Sequence, residues 1–232
     1  MDLTLLKKSH KEPIKNTIVD KIDHAKQIIS DAVKEYGDEV EVACSFGKDS
    51  MVVVHLALQV KPDIRIFSVM TPFKPQETFE YKDKMIQYYN LNIVEYMSKE
   101  TVDPDLPKTD PDECCRILKV EPTKEAVKDL QAWICGLRNT EGRTRKDYKE
   151  IEEKGGLIKI NPILNWTELD IWRYLAINSI PIHPFYARGY RSLGCEPCTK
   201  LINDDALERE GRWLGTSKCG GECGIHTQIL KK

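Results

Sequence analysis

The sequence predicts a doubly wound α/β fold on a mainly parallel sheet. Two observations carry that expectation. Short apolar or alternating runs recur between amphipathic helical stretches from residue 15 to residue 178, and strands separated by helices pair in parallel with helices on both faces. The length of 232 residues suits one such domain with an appended segment.

The elements follow in order. Residues 15–36 place Ile18, Ile22, Ala25, Ile29, Ala32 and Tyr36 on one helical stripe, and Gly37 ends that helix. EVEVAC (39–44) alternates as a strand does, SFGKDS (45–50) follows as a loop, and residues 50–60 read as a helix. IRIFSV (64–69) is a second strand, 75–89 a helix and NIVEYM (92–97) a third strand. Residues 98–112, with three prolines and four aspartates, read as a loop. ECCRILK (113–119) reads as helical, and Pro122 as the start of a further helix. AWICGL (132–137) is a strand running into an arginine-rich loop. Residues 166–178 are a helix, with Thr167 as N-cap and Asp170 three positions on. After residue 186 the periodicity fades, and no repeat or low-complexity segment occurs. Parallel sheets bind ligands beyond the C-terminal ends of their strands, so the loops at 45–50, 70–75 and 138–145 share the expected site.

Composition narrows the function classes. A net charge of −2 speaks against a broad nucleic-acid surface, while local arginine clusters remain able to hold a small anion. The N-terminal MDLTLLKKSHKEP lacks the apolar stretch of a secretory signal, and no apolar run reaches membrane-spanning length. The expected setting is cytoplasmic, without a membrane partner and with reduced thiols. There, eight cysteines point to metal binding or thiol chemistry. Cys44 and Cys135 stand in apolar runs and read as small buried hydrophobes.

Three patterns carry chemistry. SFGKDS lies between strand and helix, so Gly47, Ser45, Ser50 and the helix N-terminal N–H groups can cradle an anion, or the loop is an ordinary turn. It lacks the Walker spacing. Cys114 and Cys115 are adjacent, and Cys195 and Cys198 form CEPC. Two thiol pairs suit zinc or an iron–sulfur cluster, although a vicinal pair strains a simple zinc knuckle. GLRNTEGRTR (136–145) and EREGRW (208–213) supply arginines whose forks match phosphate and sulfate oxygens. Solvated loop charge accounts for Arg143 and Arg145 equally well.

SFGKDS resembles the phosphate loop of the PP-loop, or adenine-nucleotide α-hydrolase, superfamily, with Phe46 where ATP-splitting members carry a second glycine. CCRILKVEP (114–122), NPILNWTELDIW (161–172), GYRSLGCEPCTK (189–200), EREGRW and ECGIH (222–226) occur in that order. Together they resemble the iron–sulfur type of assimilatory sulfonucleotide reductase, the adenylyl-sulfate reductases, from about Ala43 to His226.

The resemblance implies a [4Fe–4S] cluster on Cys114, Cys115, Cys195 and Cys198, with Lys119 between cluster and substrate. It assigns substrate contacts to Ser45, Phe46, Gly47, Ser50, Thr71, Lys119, Gly136, Arg138, Arg209, Arg212 and His226. It makes Cys223 the nucleophile that takes sulfur from adenosine 5′-phosphosulfate, forming an S-sulfocysteine and AMP. Thioredoxin or a similar dithiol carrier then frees sulfite. Residues 1–200 would form the nucleotide- and cluster-binding domain, and 201–232 the arginine loop and a mobile tail. Cys219, joined to Cys223 by CGGEC, is a bystander or a resolving thiol. Two departures stand out: Cys135 occupies the family's usual threonine position, and Pro72 follows Thr71. The alternatives are a 3′-phosphoadenosine 5′-phosphosulfate reductase, a PP-loop ATP pyrophosphatase such as a tRNA-thiolating enzyme, and a zinc-binding structural domain. A homo-oligomer stays open.

Overall fold

The computed structural model describes residues 17–154, 156–203, 205–219, 221–227 and 229; the first two residues of the 15–36 stretch, Gly220 and the last residues of the tail lie outside them. Helix α1 (Ile18–Tyr36) starts at Thr17, which exchanges a capping box with Asp20, and stops at Gly37, whose φ of +57° suits glycine. Then come β1 (Val40–Ala43), α2 (Lys48–Val60), β2 (Ile66–Met70), α3 (Gln76–Tyr89) and β3 (Ile93–Met97). After these lie α4 (Leu106–Thr109), α5 (Pro111–Cys115), α6 (Glu121–Val127) and β4 (Ala132–Ile134). The chain closes with β5 (Ile151–Lys154), β6 (Leu157–Ile160), α7 (Glu168–Ile177), α8 (Pro184–Ala187) and α9 (Gly224–Thr227). Among the described residues, no helix is long and apolar enough to cross a membrane.

The six strands pair in the order β3-β2-β1-β4-β6-β5. All neighbours are parallel except β5 and β6. The central strands are buried on both faces, with Val40, Val42, Ile134 and Ile160 among helix residues such as Ile29, Val53 and Leu56. The chain leaves β1 toward β2 on one side and reaches β4 on the other. The loops after β1 and β4 therefore part at a switch point, where open α/β sheets bind ligands.

Three expectations change. The stretch 98–112 is not all loop, because α4 lies within it and α5 begins there at Pro111. Pro122 stands in the first turn of α6, as expected, but that helix continues from the one before it. Residues Arg116–Val120 form a π-helical turn between α5 and α6, because a proline removes the N–H owed to the carbonyl four residues back and the ladder shifts there. The antiparallel β5–β6 hairpin was not legible in the sequence; its strands, IEEK and LIKI, are four residues each and show no period-two alternation.

The sheet edge is fastened by buried charge. Glu208, far along the chain, accepts from Lys48 Nζ at 2.8 Å and from Arg138 Nη2 at 2.7 Å. Arg138 Nε donates to Asp49 at 2.6 Å, and Lys48 Nζ also donates to the Arg191 carbonyl at 2.6 Å. Arg138 is wholly buried, and Lys48 and Glu208 nearly so. Three distant segments, namely the loop into α2, the loop after β4 and EREGRW, are thus tied at one point. Removing one partner of such a set strands the others in low dielectric. Glu208→Ala is expected to cost about 3–5 kcal/mol, read by urea denaturation; a loss below about 1 kcal/mol would show that the network carries no weight.

Candidate active site

A cavity of about 200 Å³ opens at the switch point. Its floor is the phosphate loop. Gly47 caps α2, Ser45 N–H donates to Ser50 Oγ at 3.3 Å, and Ser50 Oγ donates to the Gly47 carbonyl at 3.0 Å. Lys48 N–H donates to Tyr186 Oη at 2.8 Å, which seats α8 over the loop. Phe46 has φ +60° and is buried. That left-handed conformation favours glycine, and here the aromatic ring is held by the core instead. Opposite, Gly136 comes so close that a Cβ would lie 2.9 Å from the Asp49 carbonyl and the Ser50 nitrogen.

The cavity wall is cationic. Lys74, Lys119, Arg145, Arg209 and Arg212 face it, against the carboxylates of Asp49 and Glu141. Arg145 is paired with Glu141 and Glu222, and Arg209 with Glu222 at 2.7 Å. Lys74, Lys119 and Arg212 have no carboxylate partner among the described residues. Arg212 stacks on Trp213 with its guanidinium 4.7 Å from the ring centre and donates to the Leu193 carbonyl at 2.5 Å. Burial, aided by Lys119 and Arg212, pulls Lys74 down to about 8. Burial also works against the charge on Lys119, yet Cys195, Cys223 and Cys115 outweigh it and raise its pKa.

The thiols converge beside these cations. Cys115, Cys195 and Cys198 pack with Trp213, Phe73 and Cys223. Cys114 has Cys195, Lys119 and Cys198 as its electrostatic neighbours. The π-helical turn aims Lys119 inward, and Thr123 Oγ1 satisfies the Lys119 carbonyl at 2.7 Å. The CEPC stretch is held by Glu196 N–H to the Phe73 carbonyl at 2.8 Å and by Trp213 N–H to the Cys198 carbonyl at 2.9 Å. Among the described residues, no three His, Cys, Asp or Glu side chains close on one point as metal ligands. Four buried thiols with no nitrogen or carboxylate donor among them fit a polynuclear iron–sulfur group by chemistry.

Cys223 is half-buried and lines the cavity with Lys119. Its pKa lies well below the ordinary thiol value. The Cys115 thiol is the largest cause, with Lys119 and the Ile225 N–H adding and burial opposing. Without the Cys115 proton, Lys119 and the Ile225 N–H still favour the Cys223 thiolate. His226 also lines the cavity and stacks on Trp133 at 6.4 Å; its Nδ1 is buried without a partner, and burial with Lys159 and Arg145 keeps the ring neutral. Cys44, by contrast, is pushed up to about 11 by burial, and Cys135 donates to Asn161 Oδ1 at 2.9 Å. Cys219 is exposed.

Of the expected site residues, Ser45, Gly47, Ser50, Lys119, Gly136, Arg209, Arg212, Cys223 and His226 share the cavity wall. Phe46 lies in the core, and Thr71 is buried with Oγ1 3.2 Å from Cys195 Sγ. Arg138 does not line the cavity; it is held beside it by Asp49, which does, and by Glu208. Arg143 is exposed, while Arg145 is buried in the wall. Sequence reasoning missed Lys74, Tyr186, Glu208 and Glu222. A lysine after Thr71, on the loop beyond β2, could have flagged Lys74.

A phosphate loop at the switch point of a parallel sheet defines a nucleotide-binding α/β protein. Residues 39–201 match the phosphoadenosine phosphosulfate reductase domain; the chain belongs to that family. It is 37% identical over 219 residues to proteins of Bacillus cereus and Bacillus thuringiensis named adenosine 5′-phosphosulfate reductase, covering 90% of this chain and 93% of theirs. The fold resembles the crystal structure of phosphoadenylyl-sulfate reductase from Candida auris in its phosphate complex. That likeness has a TM-score of 0.67 at 20% identity, over 82% of this chain and 98% of that one. It also resembles FMN adenylyltransferase from Candida glabrata, with a TM-score of 0.62 at 17% identity over 98% and 81% of the two chains.

The Gly136 contact yields a test. Gly136→Ala is expected to force the β4 loop off the phosphate loop and weaken AMP binding by about tenfold or more, measured calorimetrically. Unchanged affinity would mean that the two loops do not jointly form the nucleotide seat.

Proposed function

We propose that this protein reduces adenosine 5′-phosphosulfate to sulfite and AMP with a dithiol carrier such as thioredoxin. The observation that carries the reading is the juxtaposition of Cys223 with Lys74, Lys119 and Arg212, three cations that lack carboxylate partners among the described residues, in one cavity. Buried cations without a counter-ion are costly, and a phosphosulfate brings the missing negative charge. The names of the relatives at 37% identity agree. The phosphate loop and Gly136 would seat the nucleotide, and the cationic wall the phosphosulfate.

The reaction then uses this chain's own groups. Cys223 Sγ, as thiolate, attacks the sulfonate sulfur. A sulfur–sulfur bond forms, the sulfur–oxygen bond to the phosphate breaks, and AMP leaves with that electron pair. Lys74, Lys119 and Arg212 balance the charge on the sulfonate and the leaving phosphate. A thiolate of the carrier next attacks Cys223 Sγ, sulfite departs, and the carrier's second thiol resolves the mixed disulfide. The two electrons that turn sulfate sulfur into sulfite come from the dithiol. Cys114, Cys115, Cys195 and Cys198 would hold a [4Fe–4S] cluster, which when bound supplies an electrostatic field beside the sulfonate. Residues 201–232 act as the segment that delivers Cys223.

Purification without oxygen is expected to yield a brown protein that releases sulfite and AMP with thioredoxin. Cys115→Ser should bleach the colour, and Cys223→Ser should abolish sulfite release while leaving AMP binding intact. Lys74→Met should lower kcat/KM by about ten- to a hundredfold. A colourless protein holding zinc, or an active Cys223→Ser variant, would overturn the reading.

A further inference from the structure

The residue before the proposed nucleophile is the most heavily held carboxylate near the cavity. Arg145 donates to Glu222 from Nε at 2.6 Å and Nη2 at 3.1 Å, and Arg209 donates from Nη2 at 2.7 Å. The Cys223 N–H donates to Glu222 Oε1 at 2.8 Å. Only 5% of the Glu222 side chain is exposed. Burial alone would raise its pKa, but Arg145 and Arg209 overturn that and hold the carboxyl well below its usual range.

These anchors belong to different parts of the molecule. Arg145 follows β4 and is held from its other side by Glu141. Arg209 lies in EREGRW, beside the Glu208 that fastens the sheet edge, with its guanidinium 5.8 Å from the Trp213 ring centre. Glu222 therefore ties the tail to two fixed points at once, one residue from Cys223. Beyond it the tail is held by weaker contacts. Ile225 packs with Phe67 and Trp133, and Tyr148 Oη donates to the His226 carbonyl at 3.3 Å.

We propose that Glu222 is a positioning residue, whose carboxylate, clamped between Arg145 and Arg209, sets the main chain so that the Cys223 thiol stands in the cavity beside Lys119. The proposal rests on Cys223 being the reacting thiol. Glutamine in place of Glu222 keeps the shape but loses the charge, and with its oxygen at the Oε1 position that both arginines share, its NH2 meets Arg145 Nε donor to donor. Aspartate keeps the charge at a shorter reach and should rescue in part.

The test compares the anaerobically purified wild type with Glu222→Gln and Glu222→Asp. Iodoacetamide labelling of Cys223 is measured relative to exposed Cys219 on the same tail, by fragment-ion mass spectrometry. With the clamp released, the Cys223 to Cys219 labelling ratio should rise about tenfold in Glu222→Gln. kcat should fall by a similar factor, while KM and AMP affinity stay within about threefold. Glu222→Asp should lie between. An unchanged ratio, or a raised ratio with unchanged kcat, would overturn the proposal, as would matched losses in AMP affinity and thermal midpoint. If Glu222→Gln fails to fold, Glu222→Asp and Arg209→Lys test the same clamp by the same ratio. A wild type that releases no sulfite would instead sink the proposed activity, and the labelling ratio would still decide whether Glu222 sets the position of Cys223.

Discussion

The site depends on a buried knot of charge. Glu208 binds Lys48 and Arg138, and Arg138 binds Asp49; Lys48, Arg138 and Glu208 are buried. Buried ions are costly unless paired, and an incomplete set is worse than none. This forces the loop into α2, the loop after β4 and EREGRW to arrive together. It also divides labour between the charges of neighbouring positions. Lys48 and Arg138 are consumed by the knot, and Arg209 and Arg212, next to Glu208 in sequence, are left on the cavity side.

The cavity inherits an imbalance. Arg145 and Arg209 are met by Glu141 and Glu222, while Lys74, Lys119 and Arg212 are not met by carboxylates among the described residues. The unpaired set lies toward the four clustered thiols and Cys223. The paired set lies toward the tail. One half of the wall thus suits an incoming anion, and the other half secures the segment that carries the thiol. The Glu222 clamp describes the docked pose of that segment.

Much of this was legible in the sequence. The capping box at Thr167 and the glycine after α1 appear where the residues put them. The alternation of helices with short strands predicts the parallel sheet, and the switch point then predicts the site. The thiol pairs and ECGIH mark their residues because chemistry restricts which side chains can serve. What was not legible depends on long-range pairing. Arg138 and Arg145 look alike in GLRNTEGRTR, yet one is drawn into the knot by Glu208 and the other into the wall by Glu222, partners 70 and 77 positions away. The β5–β6 hairpin is too short to announce itself, and the π-helical turn at Arg116–Val120 arises from a proline that reads locally as a helix start.

The central claim is that Cys223, set among unpaired cations, takes the sulfonate from the nucleotide. The most direct measurement is the intact and peptide mass of the anaerobically purified enzyme after mixing with one equivalent of adenosine 5′-phosphosulfate and no reductant. The account predicts that the tail peptide gains the mass of one SO3 group at Cys223, released by thioredoxin as sulfite, with one AMP set free. AMP release without any adduct on that peptide, or an adduct on another cysteine, would contradict it.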